Sequence, residues 1–378
     1  MNNKVKCLRI PRRSILFLVM LVFFISFAVF GQHQKSTIHL APDPGFGTGI
    51  DWGYYFPAGG DQLIGFLEDG SFYIASARRN MVLHLSSAGE LLSEIGRPGQ
   101  GPGDLTFPGD VSILDGRYVV VNESGQTRRI SIFNLKGEFY KIIQTDNPIL
   151  SCVAVAEGKI AVVTGQLNKN LRRDNIILKD IDSGRSIPIN SFEYEIALRS
   201  RLQIPNLSPE VHLARIDRDK LLVGFSGNDS LLIYSIEGKK LAEISLNRPK
   251  QKIKRSEIEN FLIKQTEAER NENRRQMSKK MIRENIDRIP LPEFYPSYFK
   301  IAVDTRDRIL VFDNTLLAGS PVTYKAYSMT GDYIGETTIE EENYQPVYPQ
   351  NFYKDWFYSL MRKKTDDETI SLARVSFR

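Results

Sequence analysis

Between residues 59 and 248 the apolar positions fall into short runs of strand length, separated by glycine, asparagine and aspartate turns. The stretch Gly96 to Asn134 shows the pattern most clearly. Its opening, GRPGQGPG, can be neither helix nor central strand. Gly96, Gly99, Gly101 and Gly103 widen the accessible dihedrals, while Pro98 and Pro102 fix φ and remove donors. A looped connector is therefore expected, followed by a short strand over Asp110 to Ile113. Asp115-Gly116 makes a tight turn into Arg117 to Asn122 (RYVVVN). Arg129 to Phe133 and Glu138 to Ile143, joined at Lys136-Gly137, complete an antiparallel sheet of four strands.

The unit recurs. A turn followed by an apolar strand returns at Asp69-Gly70, Asp115-Gly116, Glu157-Gly158, Arg218-Asp219, Arg306-Asp307 and, more weakly, Lys354-Asp355. A second turn returns at Gly89, Gly137, Gly184, Gly238 and Gly331, the first four separated by roughly 50 residues, the size of a propeller blade. The expected fold is an all-β, six-bladed β-propeller over residues 59–378. Between Gly238 and Gly331 the interval is longer by about one blade. The excess, residues 249–292, loses its turn residues and fills with helix formers. Ser256 is a candidate N-cap with Glu259 as capping-box partner; Ile258, Phe261, Leu262 and Gln265 fall on one face, and Met277, Met281, Ile282 and Ile286 on another. Two amphipathic helices inserted before the fifth blade are expected, either as a packed cover or as a docking element. The cluster Phe294, Tyr295, Pro296, Tyr298 and Phe299 would seat them, with Tyr295 and Tyr298 as candidate ligand contacts.

Residues 1–31 have a different character. Lys4, Lys6, Arg9, Arg12 and Arg13 precede an uncharged apolar run, Ile15 to Phe30, interrupted only by Ser26. This reads as a cleaved export signal ending at Gly31, or as an uncleaved inner-membrane anchor over residues 15–30. Either places the body outside the cytoplasm, periplasmic or at the cell surface. Residues 32–58 form a linker, or Ser36 to Leu40 adds a strand to the last blade and closes the ring.

Charge and cysteines narrow the classes. The formal charge is +5, but the N-terminus and the segment Lys250 to Arg288 hold the cationic excess, so the propeller body is mildly acidic. That argues against a nucleic-acid partner. Cys7 precedes the apolar run, so it is not a lipidated cysteine, and Cys152 has no partner within an exported body. In SCVAVAEGKIAVV it is a small buried hydrophobe.

The run from Gly99 through GPGDLTFPGDVSILDGRYVVVNESGQTRRISIFNLKGEF resembles the NHL type of propeller blade, and in particular bacterial exported six-bladed propellers with a G-x-G-P-G connector. The likeness covers about 50 residues and bears on fold more than on activity. It implies that the arginine of NESGQTRRISIF ties an interblade loop through charge-assisted hydrogen bonds. Arg78-Arg79 and Arg128-Arg129 hold the same place in successive units, so an arginine ring that binds an acidic ligand is the functional alternative.

Catalytic motifs are sparse. The connector lacks the Lys-Ser/Thr of a phosphate cradle, and a strand follows it rather than a helix. Four histidines, two of them in the 32–58 segment, leave His84 and His212 too few for a zinc centre. No Gly-x-Ser-x-Gly elbow is present. Calcium needs only oxygen donors around an axis, and Asn122, Glu123, Asp313 and Asn314 are the candidates. The reading that follows is an exported, non-enzymatic binding module for a protein, peptide or glycan at the cell envelope. The alternative is a calcium-dependent hydrolase or lyase with an axial site.

Overall fold

The structure is a computed structural model that describes residues 34–39, 43–56, 64–123, 128–196, 207–217, 219–268, 271–289, 291–313, 322–340, 344–346, 351–354, 356–363 and 370–376. The N-terminal apolar run and Asn314 lie outside the described residues. The first strand, β1 (Gln34–His39), precedes a one-turn helix, α1 (Trp52–Tyr55). Six sheets follow. Blade 1 is β2 (Gly65–Phe66), β3 (Phe72–Ser76), β4 (Met81–Leu85) and β5 (Leu91–Ile95); blade 2 is β6 (Pro108–Leu114), β7 (Tyr118–Glu123), β8 (Arg129–Asn134) and β9 (Phe139–Gln144). Blade 3 is β10 (Ile149–Ala154), β11 (Lys159–Asn168), β12 (Leu171–Asp180) and β13 (Ser186–Glu195); blade 4 is β14 (Val211–Ile216), β15 (Lys220–Phe225), β16 (Ser230–Ser235) and β17 (Lys240–Ser245). Two helices, α2 (Arg255–Gln265) and α3 (Glu272–Asn285), come next. Blade 5 is β18 (Lys300–Val303), β19 (Ile309–Phe312), β20 (Val322–Tyr327) and β21 (Tyr333–Glu340). In blade 6, β22 (Tyr344–Pro346) and β23 (Asn351–Tyr353) both pair with one side of β24 (Trp356–Lys363), and β25 (Ile370–Ser376) pairs with the other.

The six-bladed β-propeller expected from the repeat is therefore present. Each blade is wedged between two others, so a central strand buries both faces. That is why RYVVVN reads as a continuous apolar run rather than an alternating one. Val119 and Val121 face blade 1 in one core with Tyr73, Val82 and Phe133, while Val120 joins Ile132, Cys152 and Ile160 toward blade 3. Similar cores fill the seams between blades 3 and 4, 4 and 5, and 5 and 6. The last seam, between blades 6 and 1, is sealed by the N-terminal segment. Phe46, Trp52 and Phe56 insert among Phe72, Leu83, Tyr358 and Leu372. Arg374 of β25 donates to Asp43 from Nε and Nη2 at 2.9 and 2.7 Å, and to the Ser87 carbonyl at 2.7 Å.

Two local expectations change. Residues 34–39 do form a strand, but it pairs in parallel with β21 on the outer edge of blade 5, not with the sixth blade. Residues 43–56 instead lie against blade 6, with Asp43 N–H donating to the Arg374 carbonyl and the aromatics filling the seam to blade 1. The second difference is at α2. It starts two residues early, with Lys254 as a cap that makes no side-chain bond, and Ser256 lies inside the helix, so the Ser256/Glu259 capping box does not form. A backbone neck fixes the start: Ile253 N–H donates to the Glu293 carbonyl, Tyr295 N–H to that of Gln251, and the Arg255 guanidinium reaches the Ile286 and Ile289 carbonyls. Asn271 caps α3 as a side-chain acceptor. Ile258, Leu262, Ile282 and Ile286 are buried together with Leu207 and Tyr295, whereas Met277 and Met281 point outward.

Strand direction orders the surface. Every blade runs antiparallel outward from its inner strand, so the turn between second and third strands and the connector to the next blade share one face of the ring. This connector face carries the helical pair, the glycine-rich loop and the β11–β12 hairpin. The last is longer than its counterparts, ten residues per strand against six in blade 4.

Candidate functional site

The glycine-rich loop folds over a buried ion pair. Pro98 bridges Leu105, and Gly99 N–H donates to the Leu105 carbonyl. Gly96, at φ +80°, could not hold a side chain, since its Cβ would lie 2.5 Å from Leu105; at Gly99 a Cβ would lie 2.4 Å from the Asp104 carboxylate. Gly101 N–H and Arg97 Nε both donate to that carboxylate, at 3.0 and 2.7 Å, and Pro102 and Gly103 complete the turn.

Beneath it, Arg129 of β8 spends four of its N–H contacts: Nε and Nη2 on Glu123 at 2.7 Å each, Nη1 on the Gln100 carbonyl and Nη2 on that of Asp104. Glu123 is fully buried and also accepts from Ser131 Oγ and Thr106 N–H. Both oxygens are thus committed to hydrogen bonds within blade 2 and its connector. In blade 1 the matching ladder pair is Ser76 with Met81, so no carboxylate receives an arginine there. Arg79 instead lies over the Tyr54 ring, 3.0 Å from its centroid, and Arg78 is exposed. Arg128 is exposed and donates to the Asp146 carbonyl at 2.9 Å. The two pairs are equivalent in sequence and unlike in structure.

The described calcium candidates are not brought together. Asn122 is buried in blade 2 beside Glu123, while Asp313 lies across the ring in blade 5, paired with Arg248 and 3.6 Å from Lys325 Nζ. Among the described residues, no three His, Cys, Asp or Glu side chains gather as a metal site would require. Tyr295 and Tyr298 are both buried. Tyr295 packs with α2 and α3 and donates to Glu257 at 3.1 Å, whereas Tyr298 sits in the core of blades 4 and 5. Gly224 makes room for the Tyr298 hydroxyl, which a Cβ would approach to 2.7 Å. Burial pushes the Tyr298 phenol well up. Next to it, His212 has a buried Nε2 without a hydrogen-bond partner, and burial, aided by the Lys300 charge, brings its imidazole down to about 3. His84 stacks on Tyr73 at 4.2 Å. Cys152 is buried, its thiol pushed up by desolvation.

Several surface features had no strong signal in the sequence. Phe107 is 60% exposed and holds φ +50°, a left-handed conformation uncommon for a bulky residue. Neighbours fix it there: Leu105 is buried, Thr106 bonds Glu123 and the Gly99 carbonyl, and Phe107 N–H donates to Asn80 Oδ1 at 2.7 Å. Asn80 adjoins Arg79, so Tyr54, Arg79, Asn80 and Phe107 form one aromatic-cationic patch across blades 1 and 2. Leu167 and Leu171 at the long hairpin, and Met277 and Met281 on α3, are exposed on the same face. On the ring axis a cavity of about 250 Å³ opens, walled by the inner strands, with Arg215 and Lys300 in its lining.

No protein-family profile and no curated protein matches the chain. Among solved structures it is similar to a member of the DUF4221 family from Bacteroides vulgatus, with a TM-score of 0.50 at 13% identity over 90% of this chain and 95% of the other. It is equally similar to a protein of Bacteroides fragilis described as an exported one, TM-score 0.50 at 11% identity over 90% and 98% of the two chains. A gluconolactonase from Xanthomonas campestris aligns at a TM-score of 0.47 and 11% identity over 84% and 86%. At these identities the likenesses establish the six-bladed propeller and nothing finer.

Proposed function

We propose that this chain is an exported binding module that docks a protein or peptide at the cell envelope through the connector face of its propeller. One observation carries the reading: Phe107 stands 60% exposed on that face, held out by a strained backbone, with Tyr54, Leu167 and Met277 exposed on the same face, while other exposed apolar side chains such as Leu92, Tyr140 and Leu241 lie on outer strands. Strain of this kind persists where surrounding structure enforces it and concentrates at ligand contacts. Tyrosine and arginine side by side, as in Tyr54 and Arg79, are the residue types that dominate binding hot spots. Export is supported by the Lys4 to Phe30 sequence and by the exported neighbour from Bacteroides fragilis; the NHL-like connector fits the same class. Among the described residues no helix is long and apolar enough to cross a membrane, and residues 15–30 remain the candidate anchor.

The test is crosslinking at the envelope with the full chain, comparing wild type with Phe107→Ala and Arg79→Ala. Envelope proteins captured by wild type and lost from both variants, at unchanged melting temperature, are expected. An identical captured set would remove the connector face from consideration. The calcium-dependent hydrolase makes a separate demand. Stoichiometric calcium whose chelation lowers the melting temperature would move the axial enzyme ahead of the binding reading and call for lactone and ester substrate screens.

A further inference from the structure

We infer that the outward stripe of α3 is where a protein partner docks, and that the partner meets it with an acidic amphipathic helix. This rests on the connector-face reading above and names the chemistry of its partner. Arg274, Met277 and Met281 sit at i, i+3 and i+7 in α3, and Arg288, one heptad further on, ends the short helical turn that follows. That spacing sets the four along one line of the helix, distinct from the buried line through Ile282 and Ile286. Met277 is 76% and Met281 43% exposed, and both arginines are exposed.

Charge says what covers the stripe. The segment Lys250 to Arg288 carries twelve Lys or Arg against seven Asp or Glu, and five of its acids are already matched within it. Glu257 pairs with Lys254 at 3.2 Å, Glu267 with Lys279 at 3.9 Å, Glu284 with Lys280 and Asp287 with Arg255 at 3.8 Å each, and Glu272 with Arg275. Among the described residues Arg274 and Arg288 pair with no acid, so the stripe keeps a positive charge at each end. Glu284, between them, is held by Lys280. Two methionines bracketed in this way form a narrow seam of the kind along which one helix packs on another. A lipid surface would need a broader apolar face with aromatic or leucine anchors. Methionine is unbranched and polarizable, so it adapts to the side chains laid against it. The arginines stand about 20 Å apart along the axis, and carboxylates toward the two ends of a four-turn helix would match them.

The probe is a fluorescently labelled peptide of three heptads with leucine at a and d and glutamate at e and g, followed by anisotropy as the purified full chain is added. A copy with lysine in place of glutamate is the control. Saturable binding of the acidic peptide is expected, weakened about tenfold by Met277→Ser/Met281→Ser, by Arg274→Glu/Arg288→Glu and by raised salt, with the lysine copy inert. Arg274→Lys/Arg288→Lys should retain most of the affinity, and all three double variants should melt as wild type does. Equal binding of the lysine copy, indifference to the serine and glutamate variants, or a lowered melting point in them would overturn the assignment. Sedimentation with phosphatidylglycerol vesicles in place of peptide binding would overturn it in favour of a lipid surface. Phe107→Ala should bind the peptide as wild type does, which keeps the two claims apart. Envelope partners lost from Phe107→Ala but kept by Arg274→Glu/Arg288→Glu would remove α3 and leave the connector-face reading standing; partners lost from the α3 variant alone would do the reverse.

Discussion

Glu123→Ala tests the physical account of the connector most directly. The change removes the carboxylate that neutralises Arg129, whose side chain is 8% exposed, and also removes the acceptor for Ser131 and Thr106. Breaking a buried ion pair from one side costs about 3–5 kcal/mol, because the remaining charge stays desolvated without a partner. A typical unfolding entropy of about 2 cal/mol/K per residue, applied to a ring of roughly 300 residues, turns this into a melting-point drop of about 5–8 °C. The double variant Glu123→Leu/Arg129→Met removes both charges and should recover at least half of that loss, since a buried pair replaced by apolar groups is close to neutral. It should not recover all of it, because the ties from Arg129 to the Gln100 and Asp104 carbonyls remain broken. Thermal and urea melts of the wild type, both single variants and the double variant give the coupling. A single variant melting within about 1 °C of wild type, or strict additivity in the cycle, would refute the claim that this pair anchors the connector.

Three further outcomes are expected. His212 is neutral in the fold, with its imidazole brought down to about 3 from an ordinary value near 6.5. Between those values the unfolded chain binds a proton that the native chain refuses, so stability falls as pH drops. By pH 5 this group costs about 2 kcal/mol, which His212→Phe should flatten in urea melts run from pH 7 to pH 5. Arg374→Ala deletes the bonds to Asp43 and Ser87 and the stacking on Phe46 and Trp356, and should cost about 1–3 kcal/mol. It should also expose residues 43–56 to limited proteolysis, whereas an unchanged digestion pattern would show that Arg374 does not clasp the seam. Phe107→Gly relieves a positive φ, so it should melt at or slightly above wild type while losing captured partners; a lower melting point would show that the exposed ring is structural.

The repeat was legible because its signals are local. Turn residues at Gly89, Gly137, Gly184 and Gly238 hold positive φ, and the strands between them carry enough β-branched side chains to declare themselves. The helical insertion was legible for the same reason, although its cap was misplaced, since the neck formed by Gln251, Ile253, Glu293 and Tyr295 is a contact across some forty residues. Met277 and Met281 matched the helical period yet face outward, because period alone does not say which face finds a partner.

The sequence by itself thus determined the number of blades, the order of strands and the position of the inserted helices, all consequences of neighbouring residues. It could not assign partners to equivalent residues. Arg79 and Arg129 share a place in the repeat, and only packing around Ser76 in one blade and Glu123 in the next sends one to a tyrosine ring and buries the other. The tertiary structure also decided that β1 joins blade 5, and that inner strands from all six blades wall one axial cavity. Closing a ring brings residues far apart in the chain to one centre, a juxtaposition that no local pattern of turns and strands encodes.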